Sequence, residues 1–177
     1  MISKQELRHQ TKAHVKELSA SQKRDKSALI FSQISQTEAF REAHTVALYA
    51  SLPDEPQTSD FIAQIASQKR VVLPRIAGED MDFYPYHALE MQVGAFGINE
   101  PQGRVVVSAE QIDLIICPGV AFTVDGHRLG RGKGFYDRYM SRKGFRAVKI
   151  GVCYKEQLVE RIPDEPHDIL MDIVISE

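Results

Sequence analysis

Between Pro118 and Tyr139 the chain reads PGVAFTVDGHRLGRGKGFYDRY, and within that stretch Gly130, Gly132 and Gly134 alternate with Arg131 and Lys133, just after Arg128. A glycine has no Cβ to hold a ligand away from the backbone. Three at every second position let the intervening N–H groups turn inward as an anion-binding nest, and the interleaved cations add full charges. The apolar run Leu114-Ile115-Ile116-Cys117 leads in as a buried strand ending at a Pro-Gly pair. Phe135, Tyr136, Tyr139 and Met140 lead out at helical spacing, so the loop opens a helix whose N-terminus also favours anions. A Gly/Arg/Lys turn can be a mere solvated connection, but its placement between buried strand and helix favours a polyanion such as a nucleoside triphosphate. The spacing is not that of a Walker A loop, because no Ser or Thr follows Lys133 and no Gly stands five before Gly132. Nor is it the G-x-G-x-x-G of a dinucleotide site.

Carboxylates stand where such a loop would use them. Asp125 and Asp137 flank it, and Mg²⁺ takes oxygen ligands that it shares between carboxylates and phosphates. Lys4 and Arg8 lie one helical turn apart and share a face; spacing alone makes that a solvated face. Asp54 and Glu55 follow the apolar run 46–50, in the region beyond a strand's carboxyl end where open α/β sheets bind ligands, although Asp and Pro are also ordinary turn residues. Asp168, in Pro166-His167-Asp168, precedes the last apolar run and reads either as a turn carboxylate or as a metal ligand.

The elements that must position these groups are legible as periodicities. Ser3 with Glu6, and Ser19 with Gln22, are capping boxes that open two helices, one carrying Leu7, Val15 and Leu18 and the next Leu29, Ile30 and Ile34. Thr58 caps a third, with Phe61, Ile62 and Ile65. Strands are expected at 46–50, 71–75, 112–117, 147–153 and 173–175, with 81–87 as an edge strand because Pro85 lies inside it. Strands alternating with helices predict a mostly parallel sheet with helices on both faces. Gly94, Gly97 and Gly103 around Asn99-Glu100-Pro101 mark a long irregular connection, a candidate lid or ring-stacking loop.

The chain of 177 residues suits one domain with one substantial core, and a net charge of −2 argues against a general nucleic-acid or membrane-surface binder. No apolar run approaches the roughly 20 residues of a membrane span, and MISKQELRHQTK has no signal-peptide core. Cys117 and Cys153 sit in apolar runs without metal or redox spacing, which predicts buried reduced thiols and a cytoplasmic location. The six histidines form no H-x-x-x-H pair, so no zinc site is expected.

The segment PGVAFTVDGHRLGRGKGFYDRY resembles the signature of the 5-formyltetrahydrofolate cyclo-ligase (methenyltetrahydrofolate synthetase) family. KQELR at 4–8, LYASLPDEPQT at 48–58, LPR at 73–75, NEP at 99–101 and PHD at 166–168 agree with it, in the family's order and over nearly the whole chain. The resemblance implies a three-layer α/β/α fold with a mostly parallel sheet, of the CoA-transferase-like kind. It implies ATP contacts from Lys4, Gln5, Glu6, Leu7 and Arg8, and from Arg128, Leu129, Gly130, Arg131, Gly132, Lys133, Gly134, Phe135 and Tyr136. Folate contacts are implied from Ala50, Glu55, Arg131, Gly132, Lys133, Gly134 and Phe135, with Lys133 and Arg131 as the catalytic cations. Mg²⁺ is implied at Asp137 and at Asp168, with Asp172 as a close alternative to the latter.

The implied reaction converts 5-formyltetrahydrofolate to 5,10-methenyltetrahydrofolate with ATP and Mg²⁺, releasing ADP and phosphate. The expected partners are ATP and the folate, with or without a polyglutamate tail, acting on a monomer, with neither nucleic acid nor membrane. Arg75 is expected to add charge from the far side. The family often has Tyr-Tyr-Asp where this chain has Phe135-Tyr136-Asp137, and 78–107 matches it poorly. Two other readings stay open: an ATP-dependent enzyme acting on another small substrate, and a non-catalytic nucleotide-sensing module.

Overall fold

The computed structural model describes residues 2–177. In chain order its regular elements are α1 (Lys4–Lys16), α2 (Ala20–Gln36), α3 (Glu38–Glu42), β1 (Thr45–Ala47), α4 (Ser59–Ile65), β2 (Arg70–Ala77), β3 (Asp80–Pro85), β4 (Met91–Val93), β5 (Asn99–Pro101), β6 (Leu114–Cys117), β7 (Ala121–Phe122), β8 (Arg128–Leu129), α5 (Phe135–Met140), β9 (Val148–Cys153) and β10 (Ile173–Ser176), with three short 3₁₀ turns. Six strands form the central sheet in the order β10-β9-β6-β1-β2-β3. All neighbours run parallel except β2 and β3, so the sheet is mostly parallel as expected, with β3 as its antiparallel edge.

Alternation along the strands gives each face its own core. Val46, Leu48, Val71, Leu73, Leu114, Ile116, Ile150 and Val152 meet Val15, Ile30, Phe31, Ile34, Phe40, Phe61, Ile62 and Ile65 from α1 to α4. Each fully buried aliphatic side chain there contributes about 1.5–3 kcal/mol. The opposite residues, Ala47, Val72, Ile115, Cys117 and Cys153, pack under Phe83, Phe122, Tyr139, Met140 and Met171. The two outer layers are therefore unequal. Four helices cover one face, while the other is covered by the single short helix α5, the β7–β8 hairpin and the loop before β10. No α-helix spans β9 to β10, where only a 3₁₀ turn at Lys155–Gln157 intervenes.

The structure revises three local expectations. β1 stops at Ala47 because the next residues turn away: Thr58 Oγ1 donates to Tyr49 O at 2.7 Å and Tyr49 Oη donates to Pro56 O at 2.8 Å, folding the loop back on itself. Thr58 is thus at the N-cap of α4 without capping it through its side chain. The irregular connection at 88–107 contains a two-stranded hairpin, β4–β5. Both early capping boxes form as the sequence predicts. No helix among the described residues is long and apolar enough to cross a membrane.

Phe122 locks the β7–β8 hairpin onto the sheet. Its fully buried ring fills the space of two absent side chains: a Cβ on Gly119 would stand 2.7 Å from it and one on Gly151 2.5 Å. Gly151→Ala is therefore expected to overpack this contact and cost about 1–3 kcal/mol. Urea unfolding should show a lower midpoint at unchanged slope, and a parental midpoint would refute the packing argument.

Candidate active site

From β1 the chain moves outward through β2 to β3, and from β6 through β9 to β10 in the other direction. The order reverses between β1 and β6, and crevices at such a switch point, beyond the strands' carboxyl ends, are where open α/β sheets bind ligands. Here β1 delivers Tyr49 to Glu55 and β6 delivers Pro118 and Gly119. A cleft of about 590 Å³ opens between them, a size that suits a small-molecule ligand.

The glycine-rich loop forms one wall. Gly132 and Gly134 adopt φ +98° and +71°, which only glycine takes without strain. Arg8 Nε donates to Gly130 O at 2.8 Å, and its guanidinium lies against Gly132. α1 is held in reach because Leu7 packs with Ala121, Leu129 and Ile162. Helix α5 has only six residues, so the loop's own amides and cations matter more than any long helix dipole. Lys133 is exposed at the cleft, whereas Arg128 lies beneath the loop, 8% exposed. Arg128 Nη1 donates to Pro118 O at 3.1 Å and its Nη2 to Asp137 Oδ2 at 3.0 Å.

Glu55 occupies the opposite corner, 4% exposed. Its Oε2 accepts from Leu52 N at 2.9 Å, and Tyr154 Oη donates to the Glu55 carbonyl at 2.9 Å. Arg131 reaches across to both acidic side chains, with Nη2 2.9 Å from Glu55 Oε1 and the guanidinium also forked onto Asp54. Burial pushes the Glu55 carboxyl above the usual carboxylate range, with the Arg131 charge and the Leu52 amide opposing that rise. Burial also disfavours charge on Asp54, but Arg131 outweighs it and holds that carboxyl below its ordinary value.

A third cluster lies at the cleft's rim. Lys4 Nζ donates to Glu165 Oε2 at 2.7 Å and to Asp168 Oδ2 at 2.8 Å. Burial works against the charge on Lys4, but these carboxylates prevail and keep its pKa above the ordinary lysine value. Asp137 Oδ1 accepts from Ile169 N at 3.1 Å, which sets Asp137 beside Asp168 in the chain's path. Ligand atoms of Glu165, His167 and Asp168 all lie within 4.8 Å of one another. Two of the three groups, Glu165 and Asp168, offer carboxylate oxygens of the kind magnesium takes, and here Lys4 Nζ occupies them; Asp137 stands outside this set, its oxygens taken by Arg128 Nη2 and Ile169 N. Asp172 lies elsewhere: its carboxylate accepts from Lys149 N at 2.8 Å at the amino end of β9.

Of the residues singled out by sequence, Lys4, Arg8, Ala50, Glu55, Arg128 to Asp137 and Asp168 all line this one cleft. Gln5, Glu6 and Leu7 do not. Gln5 is exposed, Glu6 is spent on the Ser3 capping box, and Leu7 is buried beneath the loop. Arg75 is also a correction. Strand alternation turns it from the cleft, where it donates to Pro101 O and Gly103 O and stacks on Tyr84 with its guanidinium carbon 3.5 Å from the ring centre. The sequence reading missed Phe96, Ile98, Met81, Arg138, Glu165 and His167 as site residues, and all six are part of the lining. Phe96 sits at the tip of the β4–β5 hairpin with φ +57°, 63% exposed, its ring 6.4 Å from that of Phe135 and 5.9 Å from Lys133 Nζ. The glycines at 94, 97 and 103 were the available signal for that turn; the side chain it presents was not.

Comparison with known proteins adds an independent line. The model of the 5-formyltetrahydrofolate cyclo-ligase family matches residues 1–177. The chain is 29% identical to the mouse 5-formyltetrahydrofolate cyclo-ligase over 190 residues, covering 99% of this chain and 94% of that protein. It is 35% identical to the Escherichia coli K12 5-formyltetrahydrofolate cyclo-ligase over 142 residues, 76% of this chain and 78% of that one. The solved structure of Aquifex aeolicus 5,10-methenyltetrahydrofolate synthetase is similar at a TM-score of 0.88 and 34% identity, over 98% of this chain and 89% of that one. The fold, the cleft at its switch point and a match along the entire chain agree, and the chain belongs to the 5-formyltetrahydrofolate cyclo-ligase family.

Proposed function

We propose that this protein is an ATP-dependent ligase that closes 5-formyltetrahydrofolate to 5,10-methenyltetrahydrofolate, releasing ADP and phosphate. The observation that carries this reading is one cleft holding a cationic glycine cradle opposite a buried carboxylate. The cradle suits a triphosphate, and Glu55 suits the adjacent N–H donors along a pterin edge. A sensing module would have no use for that second, differently charged corner.

A formamide oxygen is a poor leaving group, so ring closure by N10 needs activation. Transfer of the γ-phosphoryl group to the formyl oxygen gives an iminium phosphate; N10 attacks the formyl carbon and the C–O bond breaks, releasing phosphate. Phosphoryl transfer asks a protein chiefly for positioning and charge neutralisation. Lys133 and Arg131, with the loop amides, hold the phosphates, and Arg8 braces the loop from behind. Arg128 acts from below, fixing the loop's shape through Pro118 and Asp137. Asp137 and Asp168 would hold the magnesium ion that ATP brings, which supplies neutralisation of the phosphate oxygens. Ala50 and Glu55 orient the pterin, and Phe96 and Phe135 provide ring faces for it. Phe135 lacks a hydroxyl, which suits a side chain that only packs.

In this reading the folate is bound with or without a polyglutamate tail, and the enzyme works as a monomer. Two buried, unbridged thiols suit a reducing cytoplasm; burial raises the pKa of each to about 12. Incubation with 5-formyltetrahydrofolate and Mg·ATP tests the function directly. Absorbance of the methenyl product should rise with equimolar ADP release, and no product from folded protein would reject the reading.

Lys133→Ala should lower kcat by about 10²–10³-fold, roughly 2.7–4 kcal/mol of transition-state stabilisation. The melting temperature should stay near the parent's, because Lys133 is exposed. Parental turnover in the folded variant would remove Lys133 from the chemistry.

Asp137→Asn should act twice. It removes the countercharge of buried Arg128, costing stability by up to about 3–5 kcal/mol. It also weakens the metal site, so initial rates should need more magnesium to reach half-maximum. Loss of stability with an unshifted magnesium midpoint would leave Asp137 as Arg128's partner alone.

A further inference from the structure

Arg131 is spent twice over. Its Nη1 and Nη2 fork onto Asp54 at 3.2 and 2.5 Å, while Nε and Nη2 also reach Glu55 Oε1 at 3.2 and 2.9 Å. A guanidinium has five N–H donors, so four contacts leave one for a phosphate, and two carboxylates already offset its charge. The contact is equally restrictive for Glu55. Its Oε2 is taken by Leu52 N, and the oxygen left for a ligand is the one Arg131 covers. A nucleotide gains when Arg131 turns to its phosphates, and a pterin gains when Arg131 uncovers Glu55. Both substrates call for the same displacement.

We propose that Asp54 is a positioning residue that parks Arg131 on Glu55, and that release of this clasp makes ATP and 5-formyltetrahydrofolate bind with positive coupling. The proposal rests on the functional reading above. The asymmetry of burial explains why Asp54 is the holding group. The Glu55 side chain is 5% exposed, so losing Arg131 without a replacement leaves a buried charge unpaired. The Asp54 side chain is 30% exposed and returns to water when Arg131 leaves. Asp54 therefore stabilises the clasped state and is dispensable in the open one. Folate donors at Glu55 remove the penalty for moving Arg131, and phosphates drawing Arg131 away clear the pterin corner. Such coupling is reciprocal and typically worth about 5- to 150-fold in affinity.

The test is titration calorimetry with the β,γ-imido analogue of ATP and with 5-formyltetrahydrofolate, each alone and in the presence of the other, on the parent and on Asp54→Asn. In the parent, each ligand should bind at least about 5-fold tighter when the other saturates the protein, by the same factor both ways. In Asp54→Asn the clasp is weakened, so each ligand alone should bind tighter than to the parent and the coupling factor should fall toward one. Structural damage would weaken binding instead, so the sign of the change separates the two. A coupling factor of one in the parent, or affinities in Asp54→Asn equal to or weaker than the parent's, would overturn the proposal. The methenyl assay on the parent separates the two layers of argument: product without coupling rejects the clasp alone, and no product rejects the functional reading and the clasp with it.

Discussion

A guanidinium taken out of water must find partners, and the cleft is assembled around the ones Arg128 finds. Its side chain is 4% exposed. It bonds the carbonyl of Pro118 at the end of β6 and the carboxylate of Asp137 in α5, and its guanidinium lies 5.3 Å from the Tyr136 ring centre. Asp137 passes the constraint on by accepting from Ile169 N with its other oxygen. One buried charge thereby fixes the strand end, the helix and the rim loop relative to one another. A Cβ on Gly130 would stand 3.2 Å from Arg128 Nη1, a tight contact to which the guanidinium would have to yield by a few tenths of an ångström. Arg128 is thus better understood as the floor of the phosphate cradle than as one of its free cations.

The remaining charges are arranged as exchangeable pairs. Lys4 rests on Asp168 and Glu165, and Arg131 on Asp54 and Glu55. These two cations thus stand on carboxylates suited to a metal ion or a pterin. Without ligands this limits the cost of gathering so many charges in a partly desolvated cleft. With ligands, the partners can be traded: phosphates for the cations, a metal or N–H donors for the carboxylates. Lys133 differs, since no carboxylate among the described residues lies within ion-pair distance of it, and its ammonium lies near the Phe96 ring. Like Arg8, whose polar contact is the Gly130 carbonyl, it need not leave an acidic partner before meeting a phosphate.

Much of this was legible in sequence because the chemistry is concentrated in short segments. The glycine–cation alternation, both early capping boxes and all six strands of the main sheet follow from local patterns. What local patterns could not give is pairing across distance. Arg128 and Arg131 look alike in GHRLGRGKG, yet one is buried under the loop and the other crosses the cleft. Only the strand β8, which turns Arg128 inward, separates them. Arg75 was misread for a related reason: strand alternation sends Pro74 and Ile76 to the cleft and Arg75 to the other side. The Phe96 wall was lost in a segment whose composition says loop, because a two-stranded hairpin of three-residue strands carries almost no periodicity.

The distances along the chain also explain which part of the structure supports which. Lys4 meets Asp168 across 164 residues, Arg8 meets Gly130 across 122, and Arg131 meets Glu55 across 76. The partly exposed Lys4 pair contributes about 0–1 kcal/mol, the Arg8 contact is one hydrogen bond to a carbonyl, and the Arg131 pair must offset the desolvation of buried Glu55; together they are far too little to close such long loops. The closure is made by the two apolar faces of the sheet, where each buried aliphatic outweighs a surface pair. The site is therefore a consequence of the core and adds little to its stability. That leaves the charged pairs free to open and exchange without unfolding anything, which a cleft serving two highly charged substrates requires.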